Sequence, residues 1–292
     1  MARARAELPF DLPEVDYEQY SNRQLVAVPL VVLAIAIAVI GVYYALNGVP
    51  VGLGIAFTGG TEMQLTTTDS PDEIRATFEE PVASIQPISS QQNGFIVTFQ
   101  SSNTDAITSQ ASAAGYEWES VQSRSASFGS AAQRQALLGV GIAFAGMSVL
   151  VFVLFRTFVP SIAVVASAFS DLVIPMALMN VFGIDLSLGT VAALLMLIGY
   201  SVDSDLLLNN HVLRRRGSFY ESTYRAMRTG VTMTLTSIAA MTVMTIVSFL
   251  FGIPLLPEVG IVLVFGLTAD LMNTYMMNVT LLRYYKFEAV NR

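Results

Sequence analysis

The stretch LIGYSVDSDLLLNNHVLRRRG, residues 197–217, ends an apolar run with a dense group of polar side chains. It carries two carboxylates, Asp203 and Asp205, and closes with three consecutive arginines. A carboxylate inside a membrane span costs about 2.5–3.5 kcal/mol to insert, so those present usually face protein rather than lipid. The stretch therefore predicts a helix that crosses a membrane and turns polar side chains toward other helices or a second protein.

Composition places the chain among proteins that cross the membrane several times. Hydrophobic residues make up 53% of its 292 residues and charged residues only 13%, whereas a soluble domain has about 25% charged residues. The chain contains no cysteine, which excludes a disulfide framework and a thiolate metal site. The first ~20 residues are charged before any apolar run, so we expect no cleaved secretory signal.

The charge balance indicates an unusual environment. The net charge is −7, and Lys286 is the only lysine among 15 basic residues. An acidic, lysine-poor chain is typical of a halophile, because strongly hydrated carboxylates keep exposed surfaces soluble. A GC-rich genome that favours arginine codons would leave a similar bias, so both interpretations stay open.

Six apolar runs approach the ~20 residues that a helix needs to cross a bilayer. Lysine and arginine favour the cytoplasmic side of such helices. With the N-terminus inside, twelve basic residues lie in inside segments and three in outside segments. We therefore predict cytoplasmic end segments at 1–24 and 283–292. The predicted spans are 25–46, 136–155, 161–182, 188–208, 231–251 and 259–282.

The long segment 47–135, between the first two spans, indicates a small α+β domain outside the cytoplasm. Ser70 and Asn103 stand at the starts of two short helical patterns, where they predict N-caps. Strand-like runs occupy 52–68, which has a glycine-rich interruption, 82–88, 94–100 and 116–122. The order is β-α-β-β-α-β, which is the ferredoxin-like arrangement.

Four acids fall within or at the edge of the spans, and no basic residue shares a span with them. They are Asp171, Asp203, Asp205 and Asp270. Successive residues of a helix turn by about 100°, so Asp203 and Asp205 point about 200° apart. One side could face the helices of this chain and the other a partner subunit. These four acids are the candidates for ion coupling, with Asp203 the first choice.

Small and hydroxyl side chains accompany these acids and let helices approach closely and hydrogen-bond. They form a predicted polar seam of Ser201, Ser204, Asn209, Thr232, Thr234, Thr236, Ser237 and Asn273. Because a buried carboxyl group can change protonation, the seam could act as a proton relay. The alternative is that each acid is held in static hydrogen bonds, above all with Thr232, Thr236 and Ser237.

The sequence has no metal-ligand spacing, no nucleotide-binding loop and no nucleophile arrangement. We therefore expect a protein that is not an enzyme and holds no cofactor, with protons or sodium as possible coupling ions. We expect a lipid bilayer around the spans and no nucleic-acid partner.

Two motifs resemble the SecD/SecF family of protein-export membrane proteins. GIAFTGGTEMQL, residues 54–65, resembles the start of the exported domain in the SecF branch, usually Gly-Ile-Asp-Phe-Thr-Gly-Gly-Thr, with Ala56 in place of Asp. The matching positions are Gly54, Phe57, Thr58, Gly59, Gly60 and Thr61. IGYSVDSDLLLNNHVLRRR, residues 198–216, resembles the fourth-span signature of the family. The layout of six spans with one domain after the first resembles half of an RND-type transporter, in an archaeal and probable haloarchaeal form.

The fourth span departs from the bacterial SecF pattern, Gly-Tyr-Ser-Ile-Asn-Asp-Thr. Ser204 stands where the central Asp is usual, whereas Asp203 matches an Asp of the SecD branch. The resemblance therefore implies that Asp203 is the first candidate for a proton-bearing role.

The resemblance implies a subunit of a SecD–SecF complex in the cytoplasmic membrane. Such a complex assists a SecY-type translocon, and its outside domains hold unfolded exported polypeptides while ion flow drives their movement. The implied partners are a SecD-like subunit, the translocon and the exported chains. Two other interpretations stay open, namely an RND-type transporter half for small molecules or lipids, and a passive membrane assembly scaffold.

Overall fold

Six helical stretches in the part of the chain that the structure describes are long and apolar enough to cross a membrane. The computed structural model describes residues 17–88, 91–214, 218–253 and 255–289, so the predicted end segments fall partly outside it. The α-helices of the described residues are α1 (Asn22–Asn47), α2 (Ile55–Thr58), α3 (Pro71–Thr77), α4 (Thr104–Ala113), α5 (Ala126–Phe155), α6 (Phe158–Phe182), α7 (Leu188–Arg214), α8 (Phe219–Leu250), α9 (Leu256–Met272) and α10 (Val279–Tyr284). The prediction of a six-span helical membrane protein is confirmed.

Two π-helical segments, Asn273–Asn278 and Tyr285–Ala289, lie on either side of α10. The sixth span is therefore composite, because it runs through α9, the first π-helical segment and α10. A π-helix closes i→i+5 hydrogen bonds and is frequent at functional sites.

Local sequence fixes several helix ends. The Ser21 hydroxyl accepts a hydrogen bond from the Gln24 backbone N–H at the start of α1, and Gly48 ends that helix with a left-handed φ of 76°. At the start of α8, the Ser218 hydroxyl accepts from the Glu221 backbone N–H. This cap starts α8 well before the apolar run predicted at 231–251.

Helices α6, α7 and α9 form the interior of the bundle. In each of these three helices, half or more of the most apolar stretch is buried. In α1, α5 and α8 the buried share is less than a fifth. The three inner helices contact one another along their lengths. The outer helices present leucine, valine, isoleucine and phenylalanine outward, which suits contact with lipid.

The α+β domain contains one antiparallel sheet of the strands β1 (Gly60–Thr66), β2 (Val82–Ile88), β3 (Gly94–Phe99) and β4 (Glu117–Arg124), in the order β2-β3-β1-β4. Helices α3 and α4 carry the predicted caps, since Ser70 accepts from the Glu73 N–H and Asn103 from the Ala106 N–H. The buried core contains Met63, Leu65, Ile74, Phe78, Val97, Phe99, Ile107, Ala111 and Tyr116. This is the predicted ferredoxin-like β-α-β-β-α-β order.

The strand predicted over 52–68 is wrong in its first half. Residues 55–58 form the short helix α2, and β1 begins only at Gly60. Gly59 and Gly60 separate the two with φ values of 81° and 142°, which L-residues with a side chain rarely adopt. The glycine pair therefore turns the chain from helix into strand, a break that the strand pattern alone did not reveal.

The family-like motif forms a joint between the domain and the bundle. The Gly54 N–H donates to the Leu186 carbonyl at 2.9 Å, and the Leu186 N–H donates to the Gly52 carbonyl at 2.6 Å. These bonds fasten the chain after α1 to the loop between α6 and α7. On the other side, α2 packs against α5, where Gly129 lies too close to the Phe57 carbonyl for a Cβ atom.

We expect Gly60→Ala to destabilise the protein by about 1–3 kcal/mol, the range for a strained backbone conformation. A Cβ atom at Gly60 would collide with the carbonyl oxygen of Phe99, and φ would stay at 142°. Thermal unfolding of the purified chain in detergent measures the loss. The control is Gly139→Ala in α5, where a Cβ atom meets nothing within 4 Å. An unchanged unfolding temperature for Gly60→Ala would contradict the role of the joint.

Candidate functional site

Three carboxylates meet inside the bundle, one from each inner helix. Asp171 lies in α6, Asp205 in α7 and Asp270 in α9, and each is at most 1% exposed. Within the described residues none of the three forms an ion pair with a basic side chain. No basic side chain in the described part of the chain therefore balances the charge of this cluster.

Neutral donors surround two of these carboxylates. Asp171 accepts from the Ser201 hydroxyl and from the Asn273 amide, both at 2.6 Å. Asp270 accepts from the Ser204 hydroxyl at 2.8 Å. The donors come from α7 and the π-helical segment, so hydrogen bonds tie all three inner helices together.

Asp205 shares a donor with Asp270. The Thr274 hydroxyl lies 2.8 Å from Asp205 Oδ1 and 3.3 Å from Asp270 Oδ1, and the Asn278 amide donates to the same Asp205 oxygen at 2.8 Å. The second oxygen of Asp205 and that of Asp270 are buried without a hydrogen-bond partner. A hydroxyl has one hydrogen to donate, so Thr274 serves one of the two carboxylates at a time.

The π-helical segment Asn273–Asn278 supplies three of the donors, namely Asn273, Thr274 and Asn278. Sequence analysis singled out Asn273 and missed the other two. The signal was present, because NTYMMN places three polar side chains in an otherwise apolar span. The π-helical form that directs them was not readable from the sequence.

Asp203 lies away from the cluster. It is exposed on the outer side of α7, whereas Ser201, Ser204 and Asp205 are buried. The cause is the predicted rotation of about 200° between residues two apart on a helix. Asp205 lies on the side of α7 that faces the bundle interior. Asp203, the first candidate for ion coupling from the sequence, does not lie with the other three acids.

The predicted seam on α8 does not reach the acids. Thr232 and Thr236 donate to carbonyls of their own helix, at Arg228 and Met233, and Ser237 accepts from the Tyr200 hydroxyl at 3.0 Å. Thr234 is buried but makes no hydrogen bond to an acid. The expected static bonds from Thr232, Thr236 and Ser237 to the acids are therefore wrong, because α8 packs outside the α6–α7–α9 interior.

Asn209 is the one predicted seam residue that supports Asp205 through the backbone. Its amide donates to the Asp205 carbonyl at 2.9 Å, and its side-chain oxygen is buried without a partner. Asn209 also lines a cavity of about 330 Å³ at the end of the bundle away from the α+β domain. Polar atoms without partners thus extend from this cavity toward the acids.

The chemistry of the cluster follows from its charge. Three uncompensated carboxylates in a dry interior are far too costly, so the cluster needs protons or a bound cation. Within 17–88, 91–214, 218–253 and 255–289, no group of three or more His, Cys, Asp or Glu is arranged to hold a metal ion. The carboxyl oxygens of the cluster can bind a proton. Together with the hydroxyl and amide oxygens they can also coordinate a monovalent cation.

A second acidic site lies between the domain and the bundle, around a cavity of about 610 Å³. Its walls include Glu62 of β1, Asp185 of the α6–α7 loop and Glu258 of α9, and Ala56 stands where the SecF-like motif usually has Asp. Burial raises the pKa of both Glu62 and Asp185. Sequence analysis missed this site, because its acids are nearly 200 positions apart and only the fold brings them together.

The chain matches the family model described as protein export membrane protein SecD/SecF, C-terminal, over residues 104–288. It is 64% identical over 285 residues to the protein-export membrane protein SecF of Haloferax volcanii, covering 97% of this chain and 99% of the relative. The chain belongs to the SecD/SecF family.

Further relatives define the branch. The SecF protein of Haloquadratum walsbyi is 61% identical over 289 residues, covering 97% of this chain and 99% of that protein. The SecF protein of Pyrococcus furiosus is 37% identical over 292 residues, and the match covers 94% of this chain and 97% of that protein. The predicted archaeal, haloarchaeal form of the SecF branch is confirmed.

A solved structure shares the fold of this SecF-type chain. It is SecDF from Thermus thermophilus, titled a translocon-associated membrane protein, with a TM-score of 0.70 and 20% sequence identity. The match covers 96% of this chain and 39% of that one. The fold of this chain therefore occupies a minor part of the longer SecDF structure.

We expect Asp205→Ala to destabilise the protein more than Asp205→Asn. Alanine leaves the Asn278 amide without its acceptor and leaves the Thr274 hydroxyl only the longer contact to Asp270, and an unsatisfied buried donor costs about 1–3 kcal/mol. Asparagine keeps an oxygen acceptor and costs less. Thermal unfolding of the purified chain in detergent gives the comparison.

The matched control for this comparison is Asp203→Ala, which removes an exposed carboxylate with no hydrogen bond. We expect it to change stability by no more than about 0.5 kcal/mol. Equal losses for Asp203→Ala and Asp205→Ala would contradict the assignment of Asp205 to the buried cluster.

Proposed function

We propose that this chain is the SecF-type subunit of a SecD–SecF complex that assists protein translocation across the cytoplasmic membrane. Ion movement through the Asp171–Asp205–Asp270 cluster drives its work. One observation carries the proposal: among the described residues, the three buried carboxylates are bonded only to neutral donors, and two of their oxygen atoms have no hydrogen-bond partner. Protons, or sodium in a high-salt organism, are the ions that this chemistry accepts.

The names of the relatives support the role in export. The haloarchaeal and other archaeal relatives are named protein-export membrane proteins, and the solved SecDF is titled translocon-associated. By analogy, the partners are a SecD-like subunit, a SecY-type translocon and unfolded exported polypeptides. The basic residues favour an arrangement with cytoplasmic termini and the α+β domain on the outside.

The hydrogen bonds supply a mechanism at the cluster. When Asp205 or Asp270 takes up a proton or a cation, its demand for a donor falls, and the shared Thr274 hydroxyl can serve the other carboxylate. Each exchange changes the bonds that hold α7 against the π-helical segment of the sixth span. The three inner helices then shift relative to one another by breaking and remaking neutral hydrogen bonds.

The joint carries such a shift to the α+β domain. Helix α7 begins directly after the loop whose Leu186 is bonded to Gly52 and Gly54. Helix α9 begins beside Glu258, which lines the cavity under the sheet. A displacement of α7 against α9 therefore reaches the domain that is proposed to hold the exported chain.

The exposed side of α7 supports a SecD-like subunit as the neighbour. Asp203 lies on this side with Met196, Gly199 and Asn210, and it has no hydrogen bond within the described residues. An exposed carboxylate at membrane depth is costly against lipid, so a second protein is the favoured cover. The solved SecDF chain, of which this fold accounts for 39%, has the additional length for such a partner.

We expect Asp205→Asn to lower export of a signal-peptide-bearing reporter by about tenfold or more, within the usual range of coupling between two sites. Asparagine keeps the size and the hydrogen bonds but cannot carry a proton. Reporter export is followed in cells that depend on this chain, with its membrane level checked. External pH and sodium are varied separately to identify the ion.

Asp203→Asn is the control for that experiment, because Asp203 lies outside the cluster. It should leave the dependence of export on pH or sodium as it is in the unmodified chain. If Asp171→Asn, Asp205→Asn and Asp270→Asn all support normal export, ion coupling is refuted and the chain is better described as a passive scaffold.

We expect a cysteine at position 203 to cross-link to a SecD-like subunit in membranes. The chain has no cysteine of its own, so Asp203→Cys provides a single reactive thiol. The control is Ile142→Cys on α5, an outward position that is 70% exposed. A cross-link from position 142 and none from position 203 would place the partner on a different side of the bundle.

A further inference from the structure

The segment before α1 contacts the π-helical part of the sixth span. Tyr17 is only 5% exposed, and its hydroxyl donates to the Tyr275 carbonyl at 3.0 Å. The same hydroxyl lies 3.7 Å from the sulfur of Met227 in α8. A residue outside the spans thus bonds the backbone of the segment that supplies donors to the acids.

Arg283 of α10 fastens this contact. Its guanidinium donates to the Tyr17 carbonyl at 2.8 Å and to the Tyr20 carbonyl at 2.9 Å, and it also contacts the Asn22 side chain. The N-terminal segment is therefore held at two points on the sixth span, at Tyr275 within the π-helical segment and at Arg283 shortly after it.

The π-helical form matters for the direction of the donors. It inserts an extra residue per turn relative to an α-helix, and one residue corresponds to a rotation of about 100°. Asn273, Thr274 and Asn278 all lie in this segment. If it relaxed to α-helix, donors that now reach Asp171 and Asp205 would turn away from them.

We propose that Tyr17 is a positioning residue that holds Asn273–Asn278 in the π-helical form and so keeps its donors on the carboxylate cluster. This inference rests on the proposed function, because it assigns Tyr17 a part in the same ion-coupled step. Tyr17 then acts on the cluster through the Tyr275 carbonyl and the π-helical segment.

Titration of Tyr17 itself is not the source of the effect. Burial raises the pKa of Tyr17 to about 12, so its hydroxyl keeps its hydrogen across the working range of pH. The titratable side chains around the π-helical segment are Asp171, Asp205, Asp270, Tyr17, Tyr200 and Tyr275. No arginine, lysine or histidine among the described residues forms an ion pair with these acids.

The ring and the hydroxyl of Tyr17 can be separated. The ring packs in an apolar cluster that includes Leu25, Leu208, Phe219 and Val279. Tyr17→Phe keeps this packing and removes the bond to the Tyr275 carbonyl together with the weaker contact to the Met227 sulfur. Tyr20→Phe is the matched control, because Tyr20 is 48% exposed and bonds Arg283 through its backbone carbonyl, which the substitution retains.

The test measures reporter export against external pH in cells that carry Tyr17→Phe, Tyr20→Phe or Asp205→Asn, at matched membrane levels. We expect Tyr17→Phe to lower export about fivefold, the factor that one neutral hydrogen bond contributes, and to shift the pH of half-maximal export. Tyr20→Phe should match the unmodified chain in the level of export and in the pH of half-maximal export. Amide hydrogen exchange over residues 273–280 should be faster in Tyr17→Phe alone.

Arg283→Lys provides a second variant in case Tyr17→Phe does not accumulate in the membrane. It keeps the charge but loses the planar fork that bonds two carbonyls, and the same pH shift is expected. An unchanged pH profile in the accumulating variant overturns the positioning role. If Asp205→Asn removes the pH dependence while these variants keep the pH profile of the unmodified chain, only this inference fails, whereas normal export by Asp205→Asn overturns the proposed function as well.

Discussion

The structure depends on the cost of burying three carboxylates among apolar helices without a basic partner. Among the described residues, the side chains that reduce that cost are neutral donors, and they come from helices that are distant in sequence. Packing of α6, α7 and α9 is therefore specified by polar contacts as well as by apolar area. The outer helices need no such contacts and present a plain apolar surface to the lipid.

The link between the domain and the membrane part likewise depends on a small number of specific contacts. A few backbone hydrogen bonds at Gly52, Gly54 and Leu186, together with the glycine turn at Gly59 and Gly60, fix where the sheet begins. Close approach of backbones explains why the motif is rich in glycine. In the proposed function, this joint is the part that would carry a displacement of the helices to the domain.

Much of the fold was predictable because its signals are local. Apolar runs marked the six spans, and the caps at Ser70 and Asn103 marked the helices of the ferredoxin-like domain. The acids Asp171, Asp205 and Asp270 were also found, since ionisable residues are rare in spans. Helical geometry separated Asp203 from Asp205 by rotation, but only packing decides which of the two sides faces inward.

The rest of the site depends on long-range packing and was not predictable. No local pattern distinguishes the π-helical turn at Asn273–Asn278 from a continuous α-helix, so Thr274 and Asn278 were missed. Threonines of α8 bond carbonyls of their own helix, because α8 lies outside the interior formed by α6, α7 and α9. The acids under the sheet, Glu62, Asp185 and Glu258, become neighbours only after the domain has docked on the bundle.

The single hydrogen of the Thr274 hydroxyl has a consequence for stoichiometry. Asp205 and Asp270 lie within reach of the same donor, at 2.8 Å and 3.3 Å, and only one of them can receive it at a given moment. The cluster therefore has two discrete bonding arrangements instead of a continuous range. Under the proposed function, the smallest step at Asp205 and Asp270 is the gain or loss of one charge, so the proposed cycle would count ions singly.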